Sequence, residues 1–142
     1  MTARKSPTRE EPVVVEAECL PNRVRPGEEF ILVVRVETAP TWHITAARDS
    51  KGPEVATGVE LTLPREVMPE GNWIYPEPTP GAGGRLMDEG TFEFRRRLRV
   101  ARDAEAGPID ATCTLSYQAC DRFSCRMPAV SISEAKVEVI AP

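Results

Sequence analysis

The residues best suited to chemistry are the four cysteines, Cys19, Cys113, Cys120 and Cys125. Two of them fall in the segment Ser116-Tyr117-Gln118-Ala119-Cys120-Asp121-Arg122-Phe123-Ser124-Cys125-Arg126-Met127-Pro128. Asp121 and Ser124 are turn formers, and Pro128 keeps the residue before it extended. The pattern predicts a tight hairpin that brings the two Cα atoms within the roughly 4.4–6.8 Å a disulfide needs. Such a bond closes a loop of about six residues, and loop entropy assigns it about 2 kcal/mol, low in the usual range. A bond that stabilises little is cheap to break, so the residues leave three readings open: a structural staple, a redox-active pair, or two unpaired thiols. Zinc fits less well. The gap between Cys120 and Cys125 is wider than a zinc knuckle's, the chain has a single histidine, and Cys19 and Cys113 belong to apolar strand faces. No metal and no cofactor is expected. Cys19 and Cys113 read as buried free thiols, with a bridge between them as the alternative.

The elements that must position these residues are strands. Val13, Val15, Ala17 and Cys19 alternate with Val14, Glu16 and Glu18, and Asn22 and Pro26-Gly27 turn the chain. Phe30, Leu32, Val34 and Val36 follow, apolar on both faces at first, as a central strand requires. Val59, Leu61 and Leu63 predict a third strand, Phe92, Phe94, Leu98 and Val100 a fourth, and Ile109 to Tyr117 a fifth. Val130, Ile132, Val137 and Val139 add one or two more. Fourteen prolines punctuate the chain, and no long segment keeps a helical period. The fold class expected is all-β: an antiparallel, immunoglobulin-like β-sandwich. The cysteine–tryptophan–cysteine pattern of antibody domains is not evident. Residues 69–90, rich in proline and glycine, read as a long irregular loop, and such loops often carry function. Arg95, Arg97 and Arg99 read as a solvated strand face, with Arg96 breaking the inner face at a bulge or sheet edge.

Composition narrows the classes. A chain of 142 residues with net charge −4 is one domain's worth and lacks the basic field of a nucleic-acid binder. Its unbroken apolar runs are far shorter than the ~20 residues of a membrane helix, so direct membrane insertion is not expected. Residues 1–11 are charged and unpatterned and read as a disordered lead-in without a signal-peptide core, followed by one domain over 12–140. The ends fit either a cytosolic chain or an excised domain of an exported protein.

Three blocks carry a resemblance. Trp42-His43-Ile44, Trp73-Ile74-Tyr75-Pro76-Glu77-Pro78, and Tyr117-Gln118-Ala119-Cys120 with Cys125 and Pro128 occur in this order. Together they resemble the N-terminal (α) periplasmic domain of the thiol:disulfide interchange protein DsbD. That resemblance implies an immunoglobulin-like antiparallel β-sandwich with a redox cysteine hairpin at one end. It implies a monomeric domain of a larger membrane protein, exported to the periplasm. Such a domain takes electrons from a membrane-embedded reductase domain and gives them to thioredoxin-fold clients, such as a disulfide isomerase or a cytochrome c maturation thioredoxin. Cys125 matches the cysteine that forms the mixed disulfide with the client, and Cys120 its resolving partner. Asp88 and Glu89 match acidic residues of a covering loop that would hold a thiol protonated, whereas Arg122 and Arg126 would favour the thiolate. Where the family has a capping aromatic, Gly90-Thr91 follows instead, which leaves Leu86 or Met87 as the cap. Trp42, Trp73, Tyr75, Tyr117 and Phe123 are candidates for an apolar surround, and His43 for a proton role. The competing functions are a binding or structural immunoglobulin-like module stapled by its hairpin disulfide, and a cytosolic domain with inert thiols.

Overall fold

The computed structural model describes residues 5–47, 55–81 and 84–141. In chain order its strands are β1 (Val13–Leu20), β2 (Arg23–Val24), β3 (Glu29–Thr38), β4 (His43–Thr45), β5 (Gly58–Thr62) and β6 (Val67–Ile74). They continue with β7 (Thr79–Pro80), β8 (Leu86–Glu89), β9 (Thr91–Val100), β10 (Gly107–Tyr117), β11 (Ala119–Cys120) and β12 (Ala129–Val139). One sheet has the order β1-β3-β9-β6 and a second the order β2-β12-β10-β5. A smaller third sheet, β11-β4-β8-β7, carries the cysteine hairpin. Every pairing between these strands is antiparallel except β2 with β12, and an isolated parallel bridge joins Thr45 to Ala56. The fold is thus the all-β, immunoglobulin-like arrangement that the alternation predicts.

The alternating residues make the core. Phe30, Leu32, Val34 and Val36 of β3 are buried against Phe94, Leu98 and Val100 of β9 and against Ala111, Cys113, Leu115, Val137 and Val139 of the second sheet. Val33 is buried too, as expected for a strand flanked on both sides by β1 and β9. The Phe94 ring meets Tyr75 and Phe92 edge-on, at centroid distances of 6.0 and 6.1 Å. Cys19 and Cys113 are buried and unbridged.

The stretch 69–90 differs from its sequence reading. It continues β6 to Ile74 and supplies β7 and β8. Pro69 and Gly71 break the sequence period without breaking the strand, because β6 is the sheet edge, where a missing N–H is tolerated. The irregularity becomes a register shift between Glu70 and Ile74, with Gly71 at φ 66°. Arg96 sits opposite that bulge. It donates to the Gly71 carbonyl at 2.8 Å and its guanidinium lies over the Trp73 ring. On the outer face, Arg35 bridges Glu18 and Glu93, and Arg99 bridges Glu29 and Glu70. Of the arginine strip, Arg99 thus meets carboxylates of both neighbouring strands, and Arg95 pairs with Glu93 of its own strand.

Candidate functional site: a disulfide hairpin on a small sheet

β10 leaves the second sheet at Tyr117 and delivers Cys120 to the third sheet as part of β11. A turn then reverses the chain. Asp121 makes it: its Oδ1 accepts the N–H groups of Phe123 and Ser124, both at 2.8 Å, and its N–H donates to the Ser124 carbonyl. These bonds hold the Asp121 carboxyl below the usual carboxylate range. The Arg126 N–H then donates to the Ala119 carbonyl at 2.8 Å, and Gln118 donates to the Arg126 carbonyl. Between these ties Cys120 and Cys125 face one another as an isolated antiparallel bridge and are joined by a disulfide, with Cα atoms 4.0 Å apart. That is closer than the span expected from sequence, because directly opposed antiparallel residues approach to about 4.5 Å before any covalent bond is made. The two sulfur-bearing residues differ in access. Cys120 is buried and Cys125 is exposed.

Register places the other candidates. Across the third sheet Cys120 is aligned with His43 and His43 with Glu89, so these three share a face. The adjoining row, Ala119, Ile44 and Asp88, belongs to the opposite, buried face. Asp88 and Glu89 are therefore separated by the sheet. Glu89, Met87, His43, Asp121 and Arg122 line one groove beside the hairpin. Asp88 instead borders a pocket of about 300 Å³ together with Ala46, Tyr75, Pro76, Pro78 and Leu86. Its Oδ1 is buried without a hydrogen-bond partner among the described residues, and burial pushes its carboxyl up to about 6. His43 is held below the ordinary imidazole value, first by burial and then by Arg85, against the opposing pull of Glu89 and Asp121.

The aromatic candidates divide. Trp42 is buried at the hairpin end, with the Arg126 guanidinium 5.0 Å from its ring centroid. Tyr75 packs on Phe94 in the core, and Trp73 and Tyr117 are half-buried against it. Burial raises the Tyr117 phenol, with Glu11 adding to the effect. Phe123 stands at 92% exposure on the tip of the turn. Met87 is half-buried and pairs with Thr45 and Thr79; Leu86 is exposed.

Sequence reasoning missed one contact at this end. Arg126 donates to the carbonyls of Arg9 and Glu10, which ties the segment before β1 to the hairpin. Thr8 and Glu11 close a turn within that segment. Backbone acceptors leave no mark in a residue pattern, so only the position of Arg126 beside Cys125 hinted at it. Among the described residues no group of three or more histidine, cysteine, aspartate or glutamate side chains converges as a metal site would need, and no helix is long and apolar enough to cross a membrane.

No family model and no curated protein matches this chain. Solved structures do. The N-terminal periplasmic domain of ScsB from Proteus mirabilis superimposes with a TM-score of 0.55 at 14% identity, over 91% of this chain and 47% of that one. BcpA, the major pilin subunit of Bacillus cereus, superimposes with a TM-score of 0.50 at 12% identity, over 92% of this chain and 41% of that one. This chain thus spans less than half the length of either. At these identities the likeness is one of fold, and it agrees with the fold that the resemblance to the DsbD α domain implies.

Proposed function

We propose that this chain is a thiol–disulfide exchange domain that works through the Cys120–Cys125 couple. The observation that carries the reading is the asymmetric disulfide: one exposed and one buried cysteine in a short hairpin at the end of a rigid sandwich. Only Cys125 is open to a partner, which supports it as the residue that forms the mixed disulfide and Cys120 as the one that resolves it. In the reduced domain the Cys125 thiolate attacks a client disulfide, forming one S–S bond and releasing one client thiolate. The Cys120 thiolate then attacks the Cys125 sulfur, which re-forms the domain disulfide and expels the second client thiolate. Two electrons pass to the client, whose thiolates take up the two protons the domain cysteines gave up. A partner dithiol reverses the sequence to recharge the domain.

Following the resemblance, the donor is a membrane-embedded reductase domain and the clients are periplasmic thioredoxin-fold proteins. A disulfide-bonded domain of this kind also belongs in an exported, oxidising compartment. Thiol trapping in glutathione buffers tests the reading. The expected result is a couple that equilibrates in the buffered range, with the fold retained on reduction, and a Cys120→Ser variant that traps mixed disulfides through Cys125. A bond that stays oxidised well below about −300 mV is a structural staple, and the exchange reading fails.

A further inference from the structure

Beyond the sulfur atoms, the same end of the molecule carries an apolar surface that none of the described residues covers. Phe123 is 92% exposed, Met127 84%, Val130 61% and Ile132 69%. They follow one another through the turn, the extended arm and the start of β12. Val130 and Ile132 lie opposite Ser116 and Thr114 of β10, on the outer face of the second sheet. From Met127 to Ser133 the chain has no charged side chain, whereas Glu134, Lys136 and Glu138 occupy the outward positions of the rest of β12. On its other edge β12 is paired, among the described residues, only at Glu138 and Val139, by β2. Charges are the usual protection of an exposed strand. Here they guard the half far from the disulfide and are missing from the half beside it.

We infer that Phe123, Met127, Val130 and Ile132 form the docking surface for the protein partner of Cys125. This deepens the exchange reading and rests on it. A mixed disulfide holds the partner's sulfur against Cys125, so the surface around Cys125 is covered by that partner during every exchange. At about 3.3 Å per residue the strip runs about 23 Å from Cys125 to Ile132. That matches the radius and more of a standard interface of about 800 Å² per partner, roughly 30 Å across. The partner's chemistry follows from what faces it. It presents its cysteine within an apolar patch. Its rim carries a carboxylate opposite Arg122, an exposed charge of the turn, whereas Arg126 is already held on Trp42 and on the carbonyls of Arg9 and Glu10.

The test uses the oxidised domain, reduced dithiothreitol and, as the protein probe, a reduced thioredoxin of acidic isoelectric point. The variants are Phe123→Ser and the double variant Val130→Ser/Ile132→Ser. Reduction by thioredoxin is expected to slow about tenfold in each, while reduction by dithiothreitol stays within about twofold of the parent. A double variant that reacts with thioredoxin at the parent rate overturns the docking surface, as does an equal slowing with both reductants. Sedimentation that shows a dimer of the parent and a monomer of the double variant assigns the surface to a second copy and overturns it too. A parent domain inert to both reductants instead sinks the exchange reading itself.

Discussion

Asp88 offers a quantitative check on the placement of the third sheet. The residue is 3% exposed, one carboxyl oxygen has no partner among the described residues, and burial moves the carboxyl from 3.8 to about 6. Burial therefore favours the protonated form more in the folded protein than in the unfolded chain. Below the unfolded value both states hold the proton, and nothing is lost. As pH rises from about 4 to about 6 the unfolded chain gives up its proton while the folded chain keeps it, so stability falls through that window. Above about 6 the folded state carries a buried charge and the loss is complete. At about 1.4 kcal/mol per pH unit the total is about 3 kcal/mol. Asp88→Asn removes the titration. Whatever constant cost the amide brings, the stability of the variant relative to the parent should rise by about 3 kcal/mol between pH 3.5 and pH 7.5. Urea denaturation of both proteins across that range measures it, with the common titrations cancelling in the difference. A difference that stays flat to within about 0.5 kcal/mol means Asp88 is solvated or paired, and the assignment of its row to the buried face is wrong.

Two further outcomes follow from the same structure. Cys19 and Cys113, pushed up to about 12 and about 11 by burial, should resist iodoacetamide in the folded domain at pH 8. Mass spectrometry should find them alkylated only after unfolding, whereas reduction alone adds label at Cys125. Arg126→Ala removes the contact with Trp42 and both donations to the carbonyls of Arg9 and Glu10. It should cost about 1–2 kcal/mol in thermal unfolding and open the segment before β1 to limited proteolysis, and an unchanged digestion pattern would show that the tie holds nothing in place.

What was legible in the sequence follows a physical division. β1, β3, β5, β9, β10 and β12 bury one face against another sheet, so each writes a period of two into its residues. The third sheet writes no such period. β4, β7, β8 and β11 run from two to four residues each, shorter than one full alternation can be read over. They exist because the chain ends of longer strands are brought side by side. β6 was hidden for a different reason: Pro69 and Gly71 are loop residues by composition, and an edge strand with a bulge accommodates both.

The same division explains the site. The hairpin is local: Asp121, Ser124 and the two cysteines lie within six consecutive residues, and their turn chemistry suffices to set the disulfide geometry. The setting of that hairpin is not local. Asp88 and Glu89 are neighbours in sequence, and from sequence they invite one shared role beside the cysteines. Strand geometry forbids it, because adjacent residues in β8 point to opposite faces. Glu89 lies in the row of His43 and Cys120, so its charge acts across the face the hairpin shares. Asp88 lies in the row of Ile44 and Ala119, where its charge acts on the stability of the sheet that carries the hairpin. Substituting one of the pair therefore separates the two effects: Glu89→Gln bears on the electrostatics of the exchange face, and Asp88→Asn on how firmly that face is held.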